Sequence, residues 1–161
     1  MTEQAPVLIR PVEKRDREAV KALVSEVLKE FGFSAEVGGV ERDLAEMDSR
    51  YAGSRAGFWV AELAGGVVGT VAVRPKDETV CEIKRLYLQP GLRGSGLGQR
   101  LYEHAEDFAR RAGYRSIWLD SSRRFSRAHA LYRRNGFKLV EHIDNAWEDD
   151  VYEKLLRTDP S

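Results

Sequence analysis

The sequence predicts an α/β domain built on a mixed, mostly antiparallel seven-stranded sheet. Three observations carry that expectation. Between Phe58 and Leu88, three runs of strand-forming residues are separated only by Ala64-Gly65-Gly66 and Pro75-Lys76-Asp77-Glu78, the pattern of an antiparallel meander. From Leu97 the apolar spacing changes to the period of a helix. A strand follows that helix, and strand–helix–strand in succession implies a crossover and a parallel pair.

Each element can be justified in order. Val7-Leu8-Ile9-Arg10-Pro11 is a short apolar run that reads as the first strand. Asp16 is placed to cap a helix whose stripe is Ala19, Val20, Leu23, Val24, Val27, Leu28 and Phe31. Gly32 interrupts it, and Gly38-Gly39 makes a second break. A weaker helical pattern runs through Val40, Leu44, Met47 and Tyr51. Phe58–Leu63 and Val67–Val73 form the hairpin, and Val80–Leu88 is the third strand of the meander. Leu97, Leu101, Ala105, Phe108 and Ala109 line one face of the next helix, which Gly113 ends at a C′ position. Ser116-Ile117-Trp118-Leu119 is a short buried strand. Ala128, Leu131 and Tyr132 share a face of a further helix ended by Asn135-Gly136. Phe137–Val140 and Val151–Leu155 close the sheet. The sum is seven strands and about four helices, with strands four and five as the parallel pair. No repeat, low-complexity tract or linker divides the chain, so residues 1–161 read as a single domain.

Composition bounds the function classes. The chain has 161 residues, 42% of them hydrophobic, enough for a core without metal or disulfide staples. Lys plus Arg and Asp plus Glu number 26 each, so the net charge of zero argues against a nucleic-acid or anionic-membrane partner. The one cysteine, Cys81, excludes an internal disulfide and a multi-cysteine zinc cage, and reads as a small buried hydrophobe. His104, His129 and His142 show no metal-ligand spacing, and no metal is expected. The start, MTEQAPVLIRPVEKRD, lacks the apolar core of a signal peptide, and no run approaches membrane-spanning length. The expectation is a cytoplasmic protein.

The most informative stretch is Leu88-Gln89-Pro90-Gly91-Leu92-Arg93-Gly94-Ser95-Gly96-Leu97-Gly98-Gln99-Arg100, where a strand ends and a helix begins. Gly94, Gly96 and Gly98 let backbone approach a ligand closely, and successive N–H groups at a helix start cradle phosphate oxygens. Arg93 adds a cation. The Gly-Lys-Ser/Thr ending of a Walker A loop is absent at Gly98-Gln99-Arg100. A dinucleotide fingerprint wants glycine where Gln99 stands, and expects its loop after the first strand of the fold rather than after a meander. A nicotinamide-dinucleotide enzyme is therefore the weaker rival, with Asp120 as its ribose-binding acid.

The order of elements and the string Arg93-Gly94-Ser95-Gly96-Leu97-Gly98 resemble the GNAT superfamily of N-acetyltransferases, whose pyrophosphate pattern [Q/R]-x-x-G-x-[G/A] is met by Arg93, Gly96 and Gly98. A second stretch, Ala128-His129-Ala130-Leu131-Tyr132-Arg133-Arg134-Asn135-Gly136-Phe137, resembles the family's A-x-x-L-Y-x-x-x-G-F segment. The likeness runs over nearly the whole chain. One departure is Phe125, seven residues before the tyrosine, where many members carry asparagine; a contact to the pantetheine arm would be unmade or made otherwise.

The resemblance implies acetyl transfer from acetyl-CoA to the primary amine of a small or amino-acid-like acceptor, by direct transfer in a ternary complex. It implies that backbone N–H groups over Arg93, Gly94, Ser95, Gly96, Leu97 and Gly98 hold the diphosphate, with the Arg93 side chain beside them. It assigns polarisation of the thioester to backbone in Leu86, Tyr87 and Leu88, and it places the pantetheine arm between splayed strands four and five. An alkyl amine of pKa about 10.4 arrives protonated, so a base helps. Glu82, on the strand entering the loop, is the first candidate and Asp120 the second; a strand-surface Glu82 paired with Lys84 or an arginine is the alternative. Tyr132 matches the family tyrosine near the sulfur and is the candidate acid for the leaving thiolate. Phe31, Phe33, Tyr51 and Trp147 belong either to the acceptor pocket or to the core, and Glu148-Asp149-Asp150 reads as solvated surface. A protein N-terminus or lysine as acceptor, or a non-catalytic CoA-binding module, stays open; a homodimer would be ordinary for the family.

The zero net charge hides a segregation. Lys84 to Arg134 holds twelve basic and four acidic residues, against 14 and 22 in the remainder. The basic segment contains the glycine loop and Tyr132, which suits an anionic cofactor.

Overall fold

The structure is a computed structural model that describes residues 6–34 and 40–156, with backbone only at Val40 and Glu41. The Gly38-Gly39 break and the side chain of Val40 lie outside the described residues. Among the described residues seven strands form one sheet: β1 (Val7–Pro11), β2 (Gly57–Leu63), β3 (Gly66–Pro75), β4 (Val80–Leu88), β5 (Ser116–Ser122), β6 (Lys138–His142) and β7 (Asp149–Leu155), in the order β1-β2-β3-β4-β5-β7-β6. Every pairing is antiparallel except β4–β5. The expected mixed sheet and its parallel pair are therefore present.

Helices cover both faces: α1 (Arg17–Glu30), α2 (Val40–Ala45), α3 (Met47–Arg50), α4 (Leu97–Arg111) and α5 (Ser126–Arg134). The alternation of β3 splits the core in two. Val71 and Val73 face a cluster with Leu101, Ala105 and Leu131 of α4 and α5, while Ala72 faces Val20, Val24 and Leu28 of α1. The single helical pattern expected from Val40 to Tyr51 is two short helices broken at Glu46. None of the described helices is long and apolar enough to cross a membrane.

Two local features open the site. The β4–β5 ladder holds only for Val80↔Ser116, Cys81↔Ile117 and Glu82↔Trp118, although both strands continue. Beyond it the edge of β4 from Ile83 to Leu88 has no parallel partner, so the strands part. β4 also carries a bulge opposite β3, between the pairs Thr70↔Tyr87 and Ala72↔Lys84. Within it Arg85 takes φ +56°, a left-handed conformation that costs a non-glycine residue about 1–2 kcal/mol. The Thr70 hydroxyl donates to the Arg85 carbonyl at 2.7 Å and pins the bulge.

The strand ends correct two expectations. β5 runs on to Ser122, so Asp120 lies inside a strand. β7 begins at Asp149, and the run read as solvated surface is largely interior: Asp149 and Asp150 are buried, with Arg123 and His142 on Asp150 and Asn145 on Asp149.

Candidate active site

A cavity of about 880 Å³ runs through the gap where β4 and β5 part. One limb reaches the glycine loop and α5. The other is walled by Val27 and Phe31 of α1, by Lys84 and Arg85, and by Asn145 and Trp147 before β7. That volume suits a small-molecule site.

The loop limb is built from backbone. Pro90–Leu92 makes one 3-10 turn, and Gly96 at φ +90° turns the chain into α4. A Cβ on Gly96 would meet nothing within 4 Å, so that face of the turn is open. The N–H groups fall into two sets. Those of Arg93, Ser95 and Leu97 are taken by Pro90 O, Leu92 O and the Ser95 hydroxyl, at 3.2, 3.3 and 3.4 Å. Those of Gly94, Gly96, Gly98 and Gln99 have no hydrogen-bond acceptor among the described residues, and all four residues line the cavity. A helix start with four such donors, at the positive end of the helix dipole, fits a diphosphate. The expected cradle is thus narrower than the whole segment. Leu97 buries its side chain in the core, and Ser95 uses its hydroxyl to cap its own turn.

Arg93 lines the cavity, but its guanidinium is paired with Glu30 of α1 and stacks over Phe31, 5.3 Å from the ring centroid. Arg127 and Arg134 of α5 also line the cavity, and neither meets a carboxylate among the described residues. Leu86, Tyr87 and Leu88 line it from the unpaired edge of β4.

Tyr132 lines the same cavity. Its ring packs against Phe137 and Tyr152, with centroids 5.6 and 5.9 Å away. Its hydroxyl has no hydrogen-bond partner among the described residues, and the residue lines the cavity. Burial, then the neighbouring Tyr87, Asp120 and Tyr152, push its pKa well above the phenol range, so it stays a proton donor. Two contacts that the sequence did not announce fix α5. Gln99 and Asn135 exchange amide hydrogen bonds of 2.9 and 2.8 Å between α4 and α5. His129 spans the α5–β5 join, with Nε2 2.8 Å from Ser122 O and Nδ1 2.8 Å from the Tyr152 hydroxyl. A carbonyl only accepts, so the proton sits on Nε2 and Tyr152 donates to Nδ1.

The two candidate bases part company. Glu82 does not line the cavity; its carboxylate lies 3.4 Å from Arg74 and 3.5 Å from Lys84. Asp120 does line it, with no ion pair among the described residues. Its pKa is raised, first by burial and then by the charges of Asp149 and Glu82. Cys81 is fully buried and its thiol is pushed up to about 12 by desolvation, which leaves it inert as a nucleophile. Of the ambiguous aromatics, Phe31 and Trp147 line the cavity, whereas Phe33 packs under Trp147 at 4.8 Å and Tyr51 donates to Asp43 at 2.9 Å. Phe125, in the place of the asparagine, forms an aromatic wall with Phe31 and Tyr87 at centroid distances of 4.8 and 6.1 Å. No cluster of three metal-ligating side chains occurs among the described residues.

Comparison with known sequences decides the family. Residues 20–137 match the acetyltransferase (GNAT) family. The chain belongs to that family. It is 32% identical over 148 residues to an uncharacterised N-acetyltransferase, YjgM, of Escherichia coli, covering 89% of this chain and 86% of that one. It is 40% identical over 89 residues to N-acetylaspartate synthetase of Xenopus tropicalis, 53% of this chain and 33% of that protein. Among solved structures, yncA of Salmonella typhimurium, an acetyltransferase determined with acetyl-CoA, superimposes with a TM-score of 0.77 at 19% identity, covering 98% of each chain. The chain is an acetyltransferase enzyme of the GNAT fold, a family that uses acetyl-CoA.

Proposed function

We propose that this acetyltransferase moves the acetyl group of acetyl-CoA directly to the primary amine of a small, amino-acid-like acceptor, within a single acetyltransferase domain. The observation that carries the reading is one cavity lined together by unspent N–H donors, Tyr132, Asp120 and the aromatic rings of Phe31, Phe125 and Trp147. The Xenopus tropicalis relative, by its name, makes an N-acetylated amino acid, which supports an acceptor of that size.

Each group has a physical task. The Gly94, Gly96, Gly98 and Gln99 N–H groups bind the diphosphate, with Arg127 and Arg134 nearby. The unpaired edge of β4 over Leu86, Tyr87 and Leu88 offers backbone groups to the pantetheine arm and to the thioester oxygen. Asp120, directly or through a water, takes the proton from the incoming ammonium. The amine nitrogen attacks the carbonyl carbon, the C–N bond forms and the C–S bond breaks. The Tyr132 hydroxyl gives its proton to the departing sulfur, so CoA leaves as the thiol; the second proton that the nitrogen sheds on becoming an amide restores the Tyr132 phenol, and Asp120 releases the first to solvent. Asp120 is preferred to Glu82 because it faces the cavity and carries no counter-ion.

Thiol release from acetyl-CoA over a panel of amines and amino acids tests the reading. Acceleration by the wild-type protein supports it. Tight CoA binding with no transfer to any amine overturns it.

A further inference from the structure

Resting on that reading, we propose that Arg85 is the specificity-determining residue of the acceptor limb and that it recognises a carboxylate, so that the acceptor is a free amino acid rather than a simple amine. The bulge in β4 is the first observation. Arg85 takes a left-handed φ of +56° within it, on the stretch Ile83–Leu88 whose unpaired edge lines the cavity.

The hydrogen-bonding of Arg85 is the second. Its side chain is 8% exposed, and Nε donates to Asp43 at 2.9 Å. Asp43 also accepts from the Tyr51 hydroxyl at 2.9 Å, so it acts as a buried clamp that fixes the guanidinium plane. The guanidinium also has the Tyr87 hydroxyl as a hydrogen-bond partner, on the same cavity wall. Asp43 and Tyr87 leave part of its N–H fork unspent, and the cavity that Arg85 lines gives a ligand access to it. A buried guanidinium clamped through Nε, with a phenol beside it, matches a carboxylate.

Charge is the third. On and behind this wall Arg85, Lys84, Arg74 and Arg50 stand against three carboxylates, Asp43, Glu82 and Glu46. The local surplus is positive, whereas the proposed base, Asp120, lies on the neighbouring strand. An amine directed at Asp120 with a carboxylate directed at Arg85 describes an amino acid, and Phe31, Phe125 and Trp147 leave an apolar surface for its side chain.

The test compares matched pairs in wild-type protein: proteinogenic L-amino acids against their decarboxylated amines, such as L-phenylalanine against phenethylamine. The expected result is a kcat/KM at least about 100-fold higher for the carboxylate-bearing member of the best pair. In Arg85→Lys, which keeps the charge and loses the fork, that ratio collapses at least about tenfold. Since Arg85→Gln leaves Asp43 buried without its counter-ion, the double variant Arg85→Gln/Asp43→Asn is the second probe, with CoA affinity by calorimetry as the check on folding. Equal or better transfer to the decarboxylated amines overturns the inference and leaves acetyl transfer standing. Unchanged ratios in both variants overturn Arg85 as the determinant. Loss of transfer to every amine and amino acid alike overturns both readings.

Discussion

Replacing Tyr132 with phenylalanine separates a catalytic hydroxyl from a structural ring. The ring contacts with Phe137 and Tyr152 survive the change, and the hydroxyl has no protein hydrogen bond to lose among the described residues. Stability should therefore shift by no more than about 0.5 kcal/mol, or roughly 2 °C in Tm for a domain of this size. Turnover should behave otherwise. Proton donation to a leaving group is worth about 10²–10⁴ in rate, equivalent to about 2.7–5.4 kcal/mol of barrier. The expected outcome is a fall of that size in kcat, with acetyl-CoA affinity nearly unchanged, read by following thiol release against a calorimetric Kd. Burial holds the phenol above its ordinary pKa, so Tyr132 contributes no loss of rate between about pH 6 and 9 in the wild type. A kcat within threefold of wild type refutes the acid role. A large drop in Tm would show instead that the hydroxyl holds the fold.

Three further outcomes follow from the same geometry. Asp120→Asn should lower kcat/KM about 10²-fold or more, whereas Glu82→Gln should stay within about threefold; the reverse ranking returns the base to Glu82. The stability effect of Asp120→Asn has the opposite sign. A carboxyl whose pKa is raised by folding favours the fold only in its protonated form, a contribution present below its unfolded pKa and lost as pH rises through the folded one, so Tm at neutral pH should hold or rise. Gly96→Glu should abolish acetyl-CoA binding by calorimetry, since it forces a side chain into φ +90° and sets a carboxylate among the phosphate donors; unchanged affinity would move the cradle elsewhere. Arg127→Gln should weaken CoA about tenfold with a shallower salt dependence, and an unaltered Kd would exclude it from the cofactor limb.

Much of this was legible in the sequence because local pattern and tertiary context agreed. The meander, the α4 stripe and the Gly113 and Asn135-Gly136 stops are period and turn signals, and each sits where expected. The site was legible where backbone carried it, at the glycine loop, and where a motif carried it, at Tyr132. Elsewhere chemistry depended on partners far along the chain. Asp149 and Asp150 looked like surface because nothing local announces Arg123 and His142 as their neighbours. Glu82 and Asp120 are equivalent carboxylates in a string of letters; Arg74 and Lys84 on one, and open cavity beside the other, distinguish them. The bulge at Arg85 leaves no signal, because arginine carries no preference for positive φ.

The segregated charge bears on the loop arginine, Arg93, which lines the cavity yet is paired with Glu30. Part of the surplus of the basic segment from Lys84 to Arg134 is taken up by the acidic remainder. Asp43 takes Arg85, Glu30 takes Arg93, Asp150 takes Arg123 and Glu148 takes Arg124, all carboxylates from outside the segment. These pairs tie α1, α2 and the β6–β7 end to the wall of the cavity. What is left to attract a polyanion is the part of the surplus that meets no carboxylate among the described residues, and Arg127 and Arg134 on the cavity wall belong to it. Arg93 must exchange Glu30 for phosphate before it can contribute, and that exchange would loosen the hold of the loop on α1. If phosphate competes with Glu30 for Arg93, Glu30→Gln should tighten CoA and weaken any dependence of acceptor KM on bound cofactor. If CoA affinity is unchanged in that variant, the Arg93–Glu30 pair is surface decoration and the two limbs fill independently.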